Sequence, residues 1–520
     1  MKKYLFIALA ALGFAACAEK GEQNAPVQNG ELEQSYMAIT LTADDITRAE
    51  GGKYEEGLAE ERKVESAYVF FFKDGAAFPV TFSNGTSTNA GANNYLPVDL
   101  KTIDDDMPNV SDVKDAVLVL QNYKGEYPNK IVAVLNWTPT KASYTLENLK
   151  TQISALGNAT DGFVMSNAVY ADKAGQTIDA VDLTIDNIAK TEADALANPV
   201  TIHVERVAAK VEFTAANNGK FAIEKEVEGK TVYAQIKGFE LYNDYQESWL
   251  IKRIDPTWEV GFNWNDPYYF RSYWAQSLGK AFEENTFAWT TDNTEMGGYV
   301  YCGENTRAWT ADADVRTKVV VKAQLVDAEG NPFEVVNWYG KDYIGEDNLL
   351  KVVANTLKNT YFAGNAEATS FTGLTPADIK CVDRLVTDAK AYEVFFQLSE
   401  AGATKTWYKY EGGNYNAITN DALNTALAAV QPALVYNDGM TYYWLDIKHL
   451  GAEGTTAEYG IVRNHVYKVN ITDITGYGTP VYDGTSDFIT LEKPEDIVTY
   501  VSAQINILSW RVVENDYDLN

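Results

Sequence analysis

The chain has 520 residues, 73 of them acidic and 43 basic, so its formal net charge is −30. A field of this sign repels nucleic acids and anionic membrane surfaces, which argues against a nucleic-acid-binding protein. The length predicts roughly two to four domains. The 33 tyrosines, beside only 14 prolines and 6 methionines, favour strands and turns over helical bundles.

The N-terminus predicts export. Met1–Lys3 supplies two positive charges, and Tyr4–Ala16 is apolar but too short to span a bilayer, so residues 1–16 are typical of a signal peptide. Phe14–Cys17 resembles a lipobox, with phenylalanine in place of the usual leucine. We therefore expect Cys17 to be lipidated and the chain to reach the outer membrane of a Gram-negative bacterium. The alternative is an ordinary signal peptide with an incidental cysteine.

One strand precedes a candidate cleavage site. Residues 18–35 are rich in Glu, Gln, Asn and Gly, which is typical of a flexible tether. The Arg48–Ala49 pair lies beside charged, glycine-containing sequence that predicts an exposed loop open to a protease. Between them, residues 37–42 alternate as a half-buried strand does. The apolar face of this strand carries Met37, Ile39 and Leu41.

The body of the chain predicts two β-rich domains, an N-terminal one over residues 49–216 and a C-terminal one over 217–520, divided near Ala216–Gly219. Helices are predicted at Thr145–Leu156 and at Asn420–Val430, the second with Asn420 as its N-cap. The predicted strands are Ser66–Phe72, Ala116–Leu120, Ile131–Leu135, Thr201–Val207, Ala209–Phe213, Val232–Ile236, Lys318–Leu325 and Ile461–Ile471. Many short strands, few helices and no fixed repeat indicate an all-β protein of β-sandwich domains.

The C-terminus predicts two consecutive strand segments with a change of phase between them. The alternating apolar positions are Val501, Ala503, Ile505 and Ile507 in one parity, then Leu508, Trp510 and Val512 in the other. Such a change requires a bulge or a break. The pair of segments either closes its own sheet, which composition alone favours, or is donated to another subunit by strand addition.

No pattern points to catalysis, a metal or a cofactor. His203, His449 and His465 lack the spacing of a zinc site, and we expect structural roles for them. No nucleophile elbow or phosphate-binding loop occurs, so we expect no enzyme activity. The acidic run Asp104–Asp106 lacks the spaced ligands of a calcium loop and is expected to be solvated.

Two further features leave alternatives open. Cys302 and Cys381 either pair or, as we expect, are small buried hydrophobic residues. The segment from Tyr242 to Trp274 is dense in aromatic residues. Exposed, these rings would stack on sugars or a protein partner; buried, they would be core residues, and we expect burial for most.

Seven features occur in this order along the chain: Cys17, Arg48–Ala49, Phe163–Asn167, Val204–Arg206, Tyr301–Thr306, Val462–Val469 and Trp510–Val513. Their order and spacing resemble those of the major-subunit fimbrillins of type V pili. Within that family the chain resembles the subunit type of the minor (short) fimbria. The resemblance covers nearly the whole chain.

The resemblance implies two transthyretin-like β-sandwich domains in tandem. It implies that residues 17–48 are a lipidated propeptide and that an arginine-specific protease cuts between Arg48 and Ala49, with Arg62 as an alternative. The strand containing Met37 is then lost, and the region of about residues 500–513 from a neighbouring subunit fills its place. The resemblance implies the shaft of a surface fimbrium that supports adhesion and biofilm formation.

The resemblance also implies where the protein acts and with which partners. The lipidated precursor is expected at the outer membrane, where its lipid is its only membrane contact, and the mature form in an extracellular fimbrium. Expected partners are copies of the same chain, accessory, anchor and tip subunits, the protease, and host or bacterial surface receptors.

Two alternatives stand beside this reading. A lipid-anchored glycan-binding protein of an outer-membrane uptake system would share Cys17 and the aromatic residues, but would have a largely helical body. An accessory or tip subunit of the same family would share the fold, and would not need the same acceptor site.

Overall fold

A computed structural model describes the chain in segments. They are residues 34–42, 53–54, 57–79, 82–83, 88–89, 93–98, 101–102, 114–121, 126–171, 177–189, 191–254, 275–279, 288–290, 294–306, 315–365, 367–386, 389–449, 454, 458–485, 501–508 and 511–515. The predicted signal peptide, Cys17, Arg48–Ala49, Asp104–Asp106 and Trp510 lie outside these segments.

The described chain is mostly strand, with a few short helices, which confirms the all-β prediction. The helices are α1 (Leu146–Lys150), α2 (Glu192–Ala197), α3 (Glu346–Leu357), α4 (Glu400–Ala403) and α5 (Asn420–Ala428). None of the described helices is long and apolar enough to cross a membrane.

The first part of the chain forms one large sheet in the order β4-β3-β10-β14-β18-β1-β9-β8, with β17 and β7 pairing beside it. Apolar side chains cover both faces: one core contains Met37, Val69 and Ile202, and the other contains Phe70 and Val132. Burial on both faces explains the uninterrupted apolar runs of the central strands. The strands of this part are β1 (Gln34–Thr42), β2 (Lys53–Tyr54), β3 (Ala67–Lys73), β4 (Ala76–Ala77), β5 (Phe82–Ser83), β6 (Thr88–Asn89), β7 (Tyr95–Pro97), β8 (Lys101–Thr102), β9 (Lys114–Gln121), β10 (Lys130–Leu135), β11 (Ile153–Ala155), β12 (Gly157–Asn158), β13 (Gly162–Phe163), β14 (Met165–Asn167), β15 (Tyr170–Ala171), β16 (Thr177–Ile178), β17 (Val181–Asp182) and β18 (Val200–Arg206).

The next part of the chain begins a pair of sheets that pack against each other, which we call the second pair of sheets to distinguish it from the single first sheet. Its strands are β19 (Ala209–Ala215), β20 (Lys220–Val227), β21 (Lys230–Tyr242), β22 (Glu247–Trp249), β23 (Tyr299–Cys302) and β24 (Lys318–Val326). The change from the first sheet to the second lies at Val207–Ala208, between β18 and β19. The turn at Ala216–Gly219, with Asn217 and Asn218 in the left-handed region, follows β19. The division into folding units at residue 216 stays a prediction.

A separate subdomain is inserted after β24. Its helices α3 and α5 and its small sheets surround a core that contains Trp338, Leu349, Val353, Trp407 and Leu423. The strands are β25 (Val335–Trp338), β26 (Lys341–Ile344), β27 (Tyr361–Gly364), β28 (Phe371–Gly373), β29 (Ile379–Asp383), β30 (Val394–Leu398), β31 (Thr406–Glu411), β32 (Asn414–Ile418) and β33 (Leu434–Tyr436). We refer to residues 335–436 as the inserted subdomain.

The C-terminal strands complete the second pair of sheets. They are β34 (Met440–Asp446), β35 (Val466–Ile474), β36 (Thr479–Pro480), β37 (Val501–Leu508) and β38 (Arg511–Asn515). One sheet has the order β2-β38-β37-β35-β19-β23, and the other the order β20-β21-β24-β34-β36. Buried residues of both sheets, among them Phe213, Val469, Phe239 and Val321, share one core. The arrangement is a β-sandwich.

Three predicted elements differ in extent or capping. The helix predicted at 145–156 ends at Lys150, and residues 153–155 instead pair with β22, which offers them a ladder of backbone hydrogen bonds. In α5 the cap is Thr419, whose Oγ1 accepts the Ala422 N–H at 3.1 Å, and Asn420 is the first helical residue. The strand predicted from Ile461 starts at Val466, because Asn464 adopts a left-handed φ of 58°.

Candidate functional site

The strand with the predicted displaced residues is an interior strand of the first sheet. β1 pairs parallel with β18, with Ile39 opposite Val200, and antiparallel with β9, with Met37 opposite Leu118. The pairing with β9 extends from Gln34 to Leu41. β1 therefore satisfies the backbone groups of two neighbouring strands, and we call its place between β9 and β18 the β1 site.

Met37 is fully buried in the core of the first sheet, beside Val200 and Ile202 of β18. Ile39 and Leu41 share its parity along β1. Met37 thus places one face of β1 over the core, which agrees with the half-buried strand that the sequence predicts. Removing it would leave an apolar groove with unpaired N–H and C=O groups on both sides.

The predicted donor residues lie in the second pair of sheets. β37 pairs antiparallel with β35, so Ile505 stands opposite Val469 and Ile507 opposite Tyr467. The side chains of Val469 and Tyr467 are buried in the core of the sandwich. β38 then folds back on β37, with Ile507 opposite Val513. The predicted phase change is a chain reversal between two strands. In this state the C-terminal segment closes its own sheet.

The outer edge of the C-terminal hairpin is covered by residues that follow the predicted cleavage site. Lys53 and Tyr54 form β2, which pairs antiparallel with Val512 and Arg511 of β38. β2 is only two residues long. In sequence, β2 lies between β1 and β3, which are both strands of the first sheet. Among the described strands of this stretch, β2 alone pairs with a strand of the second pair of sheets.

A buried acid anchors the segment just after β2. Glu61, fully buried in a short 3-10 turn (Ala59–Arg62), accepts the Tyr301 hydroxyl at 2.5 Å and pairs with the Lys210 ammonium at 2.9 Å. The Glu61 carbonyl oxygen accepts from Nε of Arg206 at 2.7 Å. Burial and the hydrogen bond to Glu61 raise the pKa of Tyr301 far above its usual range. This turn therefore connects the N-terminal segment to β18 of the first sheet and to β19 and β23 of the next sheet.

Around this anchor, four of the motifs that carry the fimbrillin resemblance come together. Arg206 at the end of β18 donates to Oδ1 of Asn464, and the Phe163 ring packs on Tyr301 with centroids 4.5 Å apart. Nη2 of Arg463 lies 2.7 Å from Oε2 of Glu304, and both residues are buried. We call this region, where the first sheet meets the sheet that contains β19 and β23, the junction.

A second buried ion pair lies at the junction. Lys252 Nζ is 3.0 Å from Glu205 Oε2, with both side chains almost fully buried. Burial raises the pKa of Glu205, against the opposing effect of Lys252 and Arg463. For Lys210, burial alone would lower the pKa, but its hydrogen bonds to Glu212 and Glu61 raise it on balance. These pairs were not predicted from the sequence, although charged residues inside apolar strand patterns are a signal for them.

The remaining candidate residues have structural surroundings. Cys302 and Cys381 are buried free thiols, as expected, and burial raises the pKa of each. His449 and His465 are buried, and Nδ1 of His449 lies 3.0 Å from the Tyr467 hydroxyl. In the part of the chain that the structure describes, no group of three or more His, Cys, Asp or Glu side chains has the arrangement of a metal site.

The aromatic-rich segment is described in part. Tyr245 is buried, and its hydroxyl donates to the Leu278 carbonyl at 2.7 Å. Tyr242 packs against a small core beside Tyr442. The other predicted rings from Trp258 to Trp274 lie outside the described residues. Of the described rings, Tyr245 is buried, and Tyr242 and Trp249 are half-buried.

Comparison with known proteins gives one family match. Residues 434–516 match the family described as major fimbrial subunit protein type IV, fimbrillin, C-terminal. This segment contains β34 to β38, and so includes the motif Val462–Val469 and the predicted donor region. Among curated proteins, none matches the chain significantly.

Three solved structures show distant likeness to the chain. One is a candidate cell adhesion protein from Parabacteroides distasonis ATCC 8503, at 13% identity and a TM-score of 0.31, covering 90% of this chain and 95% of its own. Another, from Bacteroides eggerthii DSM 20697, has 11% identity and a TM-score of 0.29, covering 92% and 97%. The tip fimbrial protein Mfa3 from Porphyromonas gingivalis, truncated at its C-terminus, has 14% identity and a TM-score of 0.24, covering 90% and 99%.

At these identities and TM-scores, the three structures add no argument about function. The family match does not depend on them. Over residues 434–516, the chain is similar to the fimbrillins, which agrees with the resemblance predicted from the sequence motifs.

Proposed function

We propose that this chain is the shaft subunit of a surface fimbrium, of the minor (short) fimbria subunit type, assembled by exchange of strands between neighbouring subunits. In this proposal the chain is exported, lipidated at Cys17 and held at the outer membrane as a precursor. Cleavage after Arg48 frees the β1 site, and the C-terminal segment of the next subunit fills it. The filament then lies outside the cell and supports adhesion.

The observation that carries the proposal is the interior position of β1. A strand at a sheet edge leaves little behind when it is removed, whereas β1 has a ladder on each side. A vacated β1 site would expose two edges and the core around Met37. Only an added strand satisfies both edges together, which supports strand addition as the mode of assembly.

The number of strand ladders is compatible with exchange. In the present state β37 has one ladder with β35 and one with β38, its hairpin partner. In a neighbour's β1 site the same strand would exchange these two ladders for ladders with β9 and β18, so the number of ladders is conserved while the vacated groove is filled. β37 has 8 residues and β1 has 9, so the lengths are matched. Because the donor and the β1 site lie in different sheets, the contact propagates as a filament.

The surroundings of Arg62 support Arg48 as the cleavage site. Arg62 ends the turn anchored by Glu61, and the Nε of Arg62 is shielded from solvent. A protease would need to unfold this turn to enter its active site, because proteases bind extended, exposed chain. A cut after Arg62 would also release Glu61 and leave Lys210 without one of its two acidic partners.

The glycan-binding alternative from an uptake system predicted a largely helical body, and the described fold is all-β. The accessory or tip alternative shares the fold and differs in assembly. A shaft subunit uses both a β1 site and a donor segment, so purified chains of a single type assemble. An accessory subunit would not assemble with itself.

The test is cleavage of the precursor with an arginine-specific protease, followed by N-terminal sequencing and unheated denaturing gel electrophoresis. We expect a new N-terminus at Ala49 and a ladder of multimers that collapses on boiling. Arg48→Ala should give neither, while Arg62→Ala, the matched control, should behave as the wild type. Multimers from Arg48→Ala, or a new N-terminus at Lys63, would contradict the proposal. Cleavage at Ala49 without a ladder would instead indicate an accessory subunit.

A further inference from the structure

The inserted subdomain has a sheet with one face on its core and one face outward. The sheet has the order β28-β27-β31-β32. Alternation along the strands places Trp407 and Ile418 in the core. Residues of the opposite parity point away from that core. We call this outward side the aromatic face; its rings are Phe362, Phe371, Tyr408, Tyr410 and Tyr415.

These rings form one continuous surface. Phe371 and Tyr415 are stacked, with centroids 3.8 Å apart and planes within 2°. Phe362 meets Tyr415 edge-on at 5.0 Å, and Tyr408 meets Phe371 edge-on at 5.1 Å. Tyr410 and Tyr415 remain 42% and 39% exposed. Contiguous, partly exposed rings of this kind form a candidate binding surface.

Glycines allow the rings to lie close to the backbone. A Cβ at Gly364 would come within 2.4 Å of the Tyr408 ring. Gly364 is opposite Phe371 in the sheet, and Gly373 is opposite Phe362. At Gly364 the Tyr408 ring takes the space of the missing side chain, and at Gly373 the backbone carbonyl of Lys358 does, so the end of α3 packs directly against the edge strand of the aromatic face.

A groove of about 700 Å³ adjoins the face and shares Phe362 with it. It runs along α3, where Lys351, Asn355 and Lys358 follow one another at helical spacing. The described residues that line the groove are Lys351, Val352, Ala354, Asn355, Lys358, Asn359, Phe362, Gly373, Leu374, Thr375 and Pro376.

The charge of the groove is opposite to that of the chain. The chain has 73 acidic and 43 basic residues, yet among the described lining residues two are lysines and none is acidic. Both lysines are exposed, and Lys351 donates to Oδ1 of Asn348 at 3.1 Å. The nearest acid of the adjoining turn, Asp378, is buried and pairs with Lys405. The groove therefore offers positive charge to a ligand.

We propose that the aromatic face and this groove bind a carbohydrate chain that carries carboxylate or sulfate groups. The C–H faces of sugar rings stack on aromatic faces, because the ring quadrupole presents negative charge to them. The tyrosine hydroxyls and the amides of Asn355 and Asn359 supply donors and acceptors for sugar hydroxyls. Lys351 and Lys358 supply charge-assisted hydrogen bonds to the acidic groups.

The same features argue against a protein occupant. Lysine is depleted at the cores of protein interfaces, whereas two lysines lie within the groove. Exposed amides at its rim would need matching partners in a dry interface. A sugar chain stays partly hydrated and tolerates both. This inference concerns a surface that the proposed strand exchange does not use.

The experiment measures binding of the full-length chain to size-matched oligosaccharides on a biosensor. The probes are a neutral cellulose fragment, a hyaluronan fragment with carboxylates and a heparin fragment with sulfates. We expect an acidic probe to bind best; the choice between hyaluronan and heparin identifies the acidic group. Tyr415→Ala should weaken all binding about tenfold. Lys351→Gln with Lys358→Gln should weaken the acidic probes about tenfold and leave the neutral one unchanged.

The matched control is Tyr339→Asn, which removes a 71% exposed ring elsewhere in the inserted subdomain, at a left-handed φ of 50° that asparagine tolerates. It should bind as the wild type does. If circular dichroism shows Tyr415→Ala to be unfolded, the lysine variant at exposed positions decides alone. No binding of any probe, or binding unchanged in both variants, would overturn the proposal. Loss of self-association in these variants, without sugar binding by the wild type, would overturn it in favour of a second copy as occupant.

Discussion

At the scale of single residues, the junction holds charges where an apolar interior would be expected. Glu205, Lys252, Glu304 and Arg463 are all buried, and each acid has a cation within hydrogen-bond distance. Buried pairs add little net stability, but removing one partner leaves an uncompensated charge. We infer that these pairs fix how the strands of the two sheets meet, since each charge can be satisfied in only one arrangement.

This arrangement predicts a pH-dependent defect in Lys252→Met. Without the cation, the already raised pKa of Glu205 rises further, because burial disfavours its charged form. A carboxyl group with a raised native pKa destabilises the fold when it is ionised and not when it is protonated. We therefore expect a loss of about 3 kcal/mol near pH 8. The loss should shrink as the pH falls toward the ordinary glutamate value of 4.5.

Urea denaturation across this pH range measures the effect. The control is Lys130→Met, whose pair with Asp182 is exposed and should matter by less than about 1 kcal/mol at every pH. A loss for Lys252→Met that stays constant with pH would show that packing, and not the charge of Glu205, causes it.

At the scale of elements, β1 is defined by two neighbours that the local sequence does not reveal. Its alternation predicts a half-buried strand, and Met37 is indeed buried. Its parallel partner β18 lies some 160 residues further along the chain, since Ile39 is opposite Val200. With β37 as the donor, a refilled β1 site would bury about three large side chains of one parity, which gives a gross gain on the order of 5 kcal/mol before ordering costs.

The β1 site predicts inhibition by a peptide. A synthetic peptide of residues 34–42 should occupy the site of the cleaved subunit and stop ladder formation, because it restores both ladders and the buried Met37. A control peptide with serine in place of Met37, Ile39 and Leu41 keeps the backbone and loses the apolar face, so it should not inhibit. Ladders on unheated gels give the readout. Equal inhibition by both peptides, or by neither, would contradict strand addition at this site.

Elements with clear alternation or strong caps could be predicted from the sequence, and tertiary partners decided the others. β3, β10 and β24 occur close to the predicted bounds, because their apolar runs fit no other element. The helix predicted at 145–156 is shorter than expected, because residues 153–155 pair with β22 instead. The aromatic face could not be foreseen, because its rings come from two strand pairs, β27–β28 and β31–β32, that are separated in sequence by β29, β30 and α4.

At the scale of the whole molecule, the inserted subdomain leaves and rejoins the sandwich at neighbouring strands. β24 and β34 pair directly, with Gln324 opposite Met440. Within the subdomain, β25 has β26 on one side and β33 on the other. Residues 346–433 therefore start and end two strand spacings apart, a distance of about 10 Å. About six Gly/Ser residues span it.

This connection predicts that the sandwich folds without most of the insertion. We expect a chain with residues 346–433 replaced by such a linker to keep its β-sheet circular dichroism. Its Tm should fall by no more than about 5 °C, and it should still form the ladder. The shortened chain also carries threonine at three positions whose apolar side chains the deletion would expose to solvent: Val336, Trp338 and Val435. The full chain with the same three threonines is the control. Failure of the shortened chain alone to fold would make the subdomain a required part of the sandwich.

The position of β1 at the start of the chain has a consequence for the direction of assembly. While the chain is intact, β1 is covalently attached to the subunit that contains its site. Its effective concentration there is in the millimolar range, so a competing strand from another subunit is at a disadvantage. Cleavage after Arg48 turns β1 into a separate peptide, and once it leaves, its return is bimolecular at the low concentration of released peptide. Assembly outside the cell would then proceed in one direction without ATP. Hydrolysis of one peptide bond is irreversible under these conditions, and it removes the high local concentration that favoured β1 over a competing strand.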